Sequence, residues 1–103
     1  MKKFILFISV LILVSGCASK RFTKQASKFE QAGLFEDAAE YYYKAVAKKN
    51  SNVEAKLGLR KNGQITLDKK LAEFMTAYNG ANYQEAVYKY KDAEAYQKKL
   101  KSV

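Results

Sequence analysis

Two stretches of the sequence, "LFEDAAEYYYKA" at 34–45 and "NYQEAVYKYKDA" at 82–93, align without a gap and decide the fold. Within each stretch the matching aromatic and alanine residues recur at intervals of three and four, which is typical of one face of an α-helix. The matching pairs lie 48 positions apart: Phe35 with Tyr83, Ala38 with Ala86, Tyr42 with Tyr90, and Ala45 with Ala93. The repeat predicts two helix pairs that stack and share one core.

The rest of the chain beyond residue 20 also has helical periodicity. We predict helices over 20–32, 35–49 and 83–101, with Gly33 ending the first helix and a loop at 50–52. For 53–78 the pattern allows one long, kinked helix, which we favour, or two helices divided near Asn62-Gly63. In the long helix, Gly58 and Gly63 would each cost about 1 kcal/mol.

The first helix pair, formed by the predicted helices at 20–32 and 35–49, resembles a tetratricopeptide repeat. The resemblance implies an all-α fold of antiparallel helix pairs, an α/α solenoid of about two units after a cleaved signal peptide. It departs from the family pattern at Gln25 and Asn50. The positions that carry it, and that it places in the core, are Phe22, Ala26, Phe29, Gly33, Phe35, Ala38, Tyr42 and Ala45.

The resemblance divides the chain into a repeat at 20–52 and a second, degenerate and extended helix pair at 53–103. In the second pair, Tyr83, Ala86, Tyr90 and Ala93 take the core positions. Such stacks usually need at least three repeats. Either a partner or another copy of the chain covers the face after the last helix, or the lysines of that helix keep the face soluble and the monomer is only marginally stable.

The composition excludes several classes of function. The 103 residues contain no His and no Pro, and Cys17 is the only cysteine. Metal sites built on His and Cys, Ser/His/Asp triads and intrachain disulfides are therefore excluded. We expect no enzyme activity, no catalytic residue, no metal, no cofactor and no small-molecule substrate.

The first 16 residues have the order of a secretory signal. Lys2 and Lys3 precede the run 4–14, in which only Ser9 is polar, and small residues follow this run. The run is too short to span a bilayer, which takes about 20 apolar residues.

The end of this signal, Val14-Ser15-Gly16-Cys17, resembles the lipobox of bacterial lipoproteins. The resemblance implies cleavage after Gly16, a diacylglycerol on the Cys17 thiol and acylation of the new amino terminus with a fatty acid such as palmitate. The alternatives are a plain signal with a chance cysteine and an uncleaved anchor.

Residues 17–19 would then form a short tether between the lipid and the helices. In such lipoproteins an Asp after the lipidated cysteine favours retention in the inner membrane. This chain has Ala18 there, which implies the outer membrane, facing the periplasm. Loss of residues 1–16 would lower the net charge from +9 to +7 by removing Lys2 and Lys3.

Two surfaces on the first helix are candidate binding sites. A basic stripe lies within about 100° on a helical wheel and could face anionic lipid, although an ordinary solvated face is the simpler interpretation. The tetratricopeptide resemblance implies a partner groove on the same helix. The stripe comprises Lys20, Arg21, Lys24 and Lys28, and the groove comprises Thr23, Ser27, Glu30 and Gln31.

These patterns predict a membrane-anchored bacterial lipoprotein that binds other proteins or acts as a scaffold in a cell-envelope assembly. The expected partner is an unidentified envelope protein or another copy of the chain. The alternative is a small basic lipoprotein that acts on membranes directly, by envelope perturbation or lysis. Nucleic acid is not an expected partner, because the signal takes the chain away from the cytoplasm.

Overall fold

The structure, a computed structural model, describes the backbone from Lys2 to Val103 and the side chains from Gly16 onward. This part of the chain contains four α-helices and no strand, which confirms the all-α prediction. The helices are α1 (Lys2–Gln31), α2 (Phe35–Lys48), α3 (Val53–Asn79) and α4 (Tyr83–Lys101).

The two hairpin corners, α1 to α2 and α3 to α4, have the same geometry. After α1, Gly33 has a φ of 77°, and the Leu34 amide donates to the Phe29 carbonyl at 2.9 Å. After α3, Ala81 has a φ of 58°, and the Asn82 amide donates to the Ala77 carbonyl at 2.9 Å. Helices commonly end in this way, with one residue in the left-handed region and a backbone hydrogen bond from the following residue back to the last turn of the helix.

The third helix is continuous from Val53 to Asn79, so the chain forms one helix where the sequence allowed two. The Asn52 side chain caps it by accepting a hydrogen bond from the Ala55 amide at 3.0 Å. Gly58 provides a close approach to α2, because a Cβ built there would lie 2.5 Å from Cζ of Tyr42.

Each helix packs antiparallel against the next one along the chain. Ser19, two residues after Cys17, donates a hydrogen bond to the carbonyl of Ala45 near the end of α2. Glu36 at the start of α2 pairs with Lys70 in α3. Small side chains let the helices approach closely. The buried cluster comprises Ala26, Ala38, Ala39, Tyr42, Ala45, Val46, Ala55 and Leu59, and the partly buried Phe22, Phe29, Tyr41, Tyr43 and Leu100 pack against it.

The prediction that Gly33, Tyr83 and Tyr90 are core residues is wrong. Gly33 is exposed, because it forms the corner between α1 and α2. Tyr83 is 61% exposed and Tyr90 is 52% exposed, whereas Ala86 and Ala93 on the same helix are buried. In the first unit α3 covers the face of α2 that carries Tyr42. No helix of the described chain covers α4 in the same way, so its tyrosines stay in contact with solvent.

The α3/α4 hairpin extends beyond the first two helices. Lys70 lies between Glu36 at 3.5 Å and Asp92 at 2.8 Å, and this places the start of α2 level with Lys70. The nine residues of α3 after Lys70 therefore project past α2 by about 14 Å at 1.5 Å per residue.

Candidate functional site

The candidate lipid attachment residue, Cys17, lies in α1 with its side chain exposed. Two residues later, Ser19 is fully buried, and its hydroxyl donates to the Ala45 carbonyl at 2.8 Å. The side chains of Val14 and Ser15, which the signal-cleavage prediction includes, lie outside the described residues. Gly16 is described, and a Cβ built there would meet nothing within 4 Å.

A buried polar network fixes the start of the lipidated segment to the rest of the fold. Asn52 Nδ2 donates to Ser19 Oγ at 2.9 Å and to Thr23 Oγ1 at 3.0 Å, and the Thr23 hydroxyl donates to the Ser19 carbonyl at 2.9 Å. The predicted tether is therefore wrong about Ser19, which belongs to the helical bundle. Only Ala18 separates Cys17 from the first residue held by the fold.

The basic stripe is exposed along its whole length: Lys20, Arg21, Lys24 and Lys28. None of the four forms an ion pair with a residue in the described part of the chain. The first three line an open groove of about 750 Å³ together with Lys49 and the loop before α3. Positive charge is thus concentrated on the surface next to Cys17.

The predicted partner groove does not form from its four residues. Thr23 is only 6% exposed and is used in the Asn52 network. Glu30 accepts a hydrogen bond from the Tyr42 hydroxyl at 3.0 Å and pairs with Lys61 at 2.8 Å. The groove prediction is therefore wrong for Thr23 and Glu30, because both side chains hold helices together. The other two residues remain at the surface, with Gln31 exposed and Ser27 half-buried.

The Glu30 contacts also shift two pKa values. The hydrogen bond from the Lys61 ammonium lowers the pKa of Glu30 against the opposing effect of burial, and the bond from Tyr42 lowers it further. Burial, assisted by the hydrogen bond to Glu30, raises the pKa of Tyr42 to about 12. The charged carboxylate and the neutral phenol are therefore both favoured by the fold, which suits a structural contact between α1, α2 and α3.

Sequence reasoning missed a cluster of exposed aromatic side chains at the projecting tip of the α3/α4 hairpin. Phe74 stacks on Tyr90 with ring centroids 5.6 Å apart, and Tyr78 meets Tyr83 at 5.7 Å. The apolar residues of α3 recur at three- and four-residue spacing, a pattern that is the same for a buried face and for an exposed one. Tyr78 is 53% exposed, as is expected where a covering helix is lacking.

Two further searches of the described residues gave no site. No group of three or more Cys, Asp or Glu residues among them is placed to hold a metal ion. No helix in that part of the chain is both long enough and apolar enough to cross a membrane.

Comparison with known proteins identifies the amino-terminal segment. Residues 1–18 match the family model of the prokaryotic membrane lipoprotein lipid attachment site. Neither the curated proteins nor the solved structures gave a match. The match includes Cys17 and supports a bacterial lipoprotein of the cell envelope that is anchored to the membrane through lipid on this residue.

Proposed function

We propose that this lipoprotein carries a small tetratricopeptide-like module that binds another protein, or acts as a scaffold, within a cell-envelope assembly. The observation that carries the proposal is the exposed aromatic cluster on a folded module whose first buried residue lies two positions after the lipid attachment site. Exposed apolar patches on folded domains mark interaction surfaces. The lipid would hold this surface at the membrane.

The paired corners support the repeat character of the module. Gly33 and Ala81 lie 48 positions apart, the same spacing as the sequence repeat, and both have positive φ values. The alanines Ala38 and Ala86, also 48 apart, are both buried. Two helix pairs with equivalent corners and equivalent small contact residues are what a tandem helical repeat requires.

The proposal places the lipoprotein at the outer membrane, facing the periplasm, because Ala18 and not Asp follows the lipidated residue. It includes no enzyme activity. The chain has no His, and Cys17 would be consumed by lipidation. The acidic residue with the most contacts, Glu30, is used to join three helices.

The proposal is tested by cross-linking in the native membrane, followed by affinity purification and mass spectrometry. The expected result is a diacylglyceryl mass on Cys17 and one stoichiometric envelope protein. A Cys17→Ser variant is the matched control and should lose both the lipid and membrane fractionation. An unmodified Cys17 in the natural chain would remove the basis for the location, and the lack of any protein partner would reject the adaptor role.

The second candidate function is direct action on membranes, and the exposed basic stripe next to Cys17 favours it. Each basic residue near an anionic surface contributes about 1 kcal/mol to binding. Replacement of Lys20, Arg21, Lys24 and Lys28 by Gln should then weaken binding of the unlipidated chain to anionic vesicles and leave its binding to neutral vesicles unchanged. If the natural chain and the Gln variant bound anionic vesicles equally well, this function would be excluded.

A further inference from the structure

One face of the α3/α4 hairpin forms a groove with one cavity at its base and another at its tip, and the two cavities differ in character. On α3 its stripe comprises Lys56, Arg60, Leu67, Leu71, Phe74 and Tyr78. On α4 it comprises Tyr83, Val87, Tyr90, Glu94, Gln97 and Lys101. At 100° per residue each stripe falls within about 80° of its helix surface.

Residues of both stripes line the cavity at each end of the groove. Leu67 and Gln97 line a groove of about 360 Å³ at the base of the hairpin, and Phe74 and Tyr90 line one of about 400 Å³ at the tip. Between them, Leu71 is 41% exposed. The contacts that join α3 to α2 use Gly58 and Lys70, which lie outside these stripes. Leu67, which is 7% exposed, forms the floor of the base.

Charge distinguishes the two ends of the groove. The base is lined by Lys56, Arg60 and Lys101 and by no acidic residue. At the tip, Lys91 and Glu94 balance each other, and the remaining lining residues are aromatic or aliphatic except for the tyrosine hydroxyls. An occupant that fits the groove must therefore be acidic at one end and apolar at the other.

We propose that this groove binds an amphipathic helix of an envelope partner, with the apolar residues of that helix at the aromatic tip and its acidic residues at the basic base. The inference rests on the proposed function and names the surface and the chemistry of its partner. From Lys56 to Tyr78 the groove is about 33 Å long, which matches a helix of about 20 residues. Apolar grooves between two helices bind helices in this way, through residues at three- and four-residue spacing.

The observations favour this occupant over a second copy of the chain. A second copy carries a net charge of +9 in the full sequence and presents the same basic base. In the acidic stretch of its α2, Glu36 and Glu40 already pair with Lys70 and Lys99. The observations also favour this occupant over the lipid bilayer. The tip lies at the carboxyl end of α3, whereas Cys17 lies level with its amino end, so about 38 Å of helix separates the aromatic cluster from the anchor.

The test uses the lipidated full chain in phosphatidylcholine nanodiscs and two labelled synthetic helices of 20 residues. Both probes carry Leu at the inward positions of one half, and the other half carries Glu in the first probe and Lys in the second. Fluorescence anisotropy gives their dissociation constants, and empty nanodiscs give the contribution of lipid. Circular dichroism establishes that each variant remains helical.

Two variants change the groove, and two controls change exposed positions off the stripes. Arg60→Glu alters the basic base and Val87→Glu alters the aromatic tip. Lys69→Glu and Tyr88→Glu are the matched controls on α3 and α4. We expect the acidic probe to bind about tenfold more tightly than the basic probe. Each groove variant should raise the dissociation constant of the acidic probe about tenfold, and each control should keep it within about twofold of the value for the natural chain. Arg60→Glu should also improve binding of the basic probe.

Four results would overturn the inference. The first is equal affinity of the chain for the two probes, and the second is unchanged affinity of both groove variants for the acidic probe. The third is binding of the acidic probe to empty nanodiscs as tightly as to nanodiscs that hold the chain. The fourth is a dimer of the natural chain that Val87→Glu abolishes. The probes test the groove without a native partner, so the two proposals can fail separately. Probe binding without a cross-linked envelope protein would reject the adaptor role alone, and a partner cross-linked only through α1 and α2, with no probe binding, would reject the groove alone.

Discussion

Replacement of Gly58 by Ala should destabilise the fold, although alanine is the better helix former. A Cβ at this position would lie 2.5 Å from Cζ of Tyr42 and 2.6 Å from both of its Cε atoms. Favourable carbon contacts lie at about 3.5–4.0 Å, so the ring must move by about 1 Å. The ring has little room to do so, because it is 4% exposed and its hydroxyl bonds to Glu30 at 3.0 Å.

The expected loss can be worked from these contacts. Overpacking costs about 1–3 kcal/mol, and displacing the Tyr42 hydroxyl from a carboxylate costs about 1.5–3 kcal/mol. The gain in helix propensity from Gly to Ala offsets about 1 kcal/mol. The net destabilisation is therefore about 1.5–5 kcal/mol. For a domain of this size each 1 kcal/mol lowers Tm by about 4–8 °C.

Urea and thermal unfolding of the full chain in mild detergent, followed by circular dichroism at 222 nm, measures this change. Gly63→Ala is the matched control on the same helix. A Cβ at Gly63 would lie 2.7 Å from Cδ2 of Leu100, the end of a flexible side chain that can rotate away. This control should stay within about 1 kcal/mol of the natural chain.

A double variant examines the cause directly. If the Tyr42 ring is the obstacle, Tyr42→Leu should recover part of the loss in the Gly58→Ala background and give a coupling energy of about 1 kcal/mol or more. A Gly58→Ala chain that is as stable as Gly63→Ala would refute the reasoning, because it would show that α2 and α3 do not approach closely at this point.

Three further outcomes follow from single contacts. Ala81→Gly should stabilise the chain by about 1 kcal/mol in urea unfolding, because the residue has a φ of 58°, whereas Ala77→Gly in the helix interior should destabilise it by a similar amount. Asn52→Ala should lower the free energy of unfolding by about 2–4 kcal/mol, because it removes a helix cap and two hydrogen bonds to buried hydroxyls. Asn82→Ala, which removes only an exposed cap, should lower it by about 1 kcal/mol. Equal losses in the two variants would contradict the role of the buried network. The pKa of Tyr42 is raised from 10.0 to about 12, so its contribution to stability is complete below pH 10 and is lost as the pH rises to 12. Urea midpoints between pH 9 and 12 should fall more steeply for the natural chain than for Tyr42→Phe, and parallel curves would show that the folded state does not hold this proton more tightly.

Local chemistry explains what could be predicted from the sequence. The three- and four-residue spacing of apolar side chains is a property of each helix by itself, so the all-α class followed from it. The order of charge, apolar run and small residues before Cys17 is likewise a linear signal, and the family match covers the same residues. A lipid attachment site is a linear sequence signal, so it is identified without any tertiary contact.

Tertiary packing decided what the sequence left open. Tyr42 and Tyr90 occupy equivalent repeat positions, yet the first is buried under α3 and the second is exposed, because burial depends on which helix comes next in space. The tetratricopeptide resemblance implied that Thr23 lines a partner groove, but Asn52, 29 residues away in the sequence, donates a hydrogen bond to its hydroxyl. The sequence by itself determined the helices and the anchor. Only the packing of α3 against α2 and α4 determined which faces of those helices remain open.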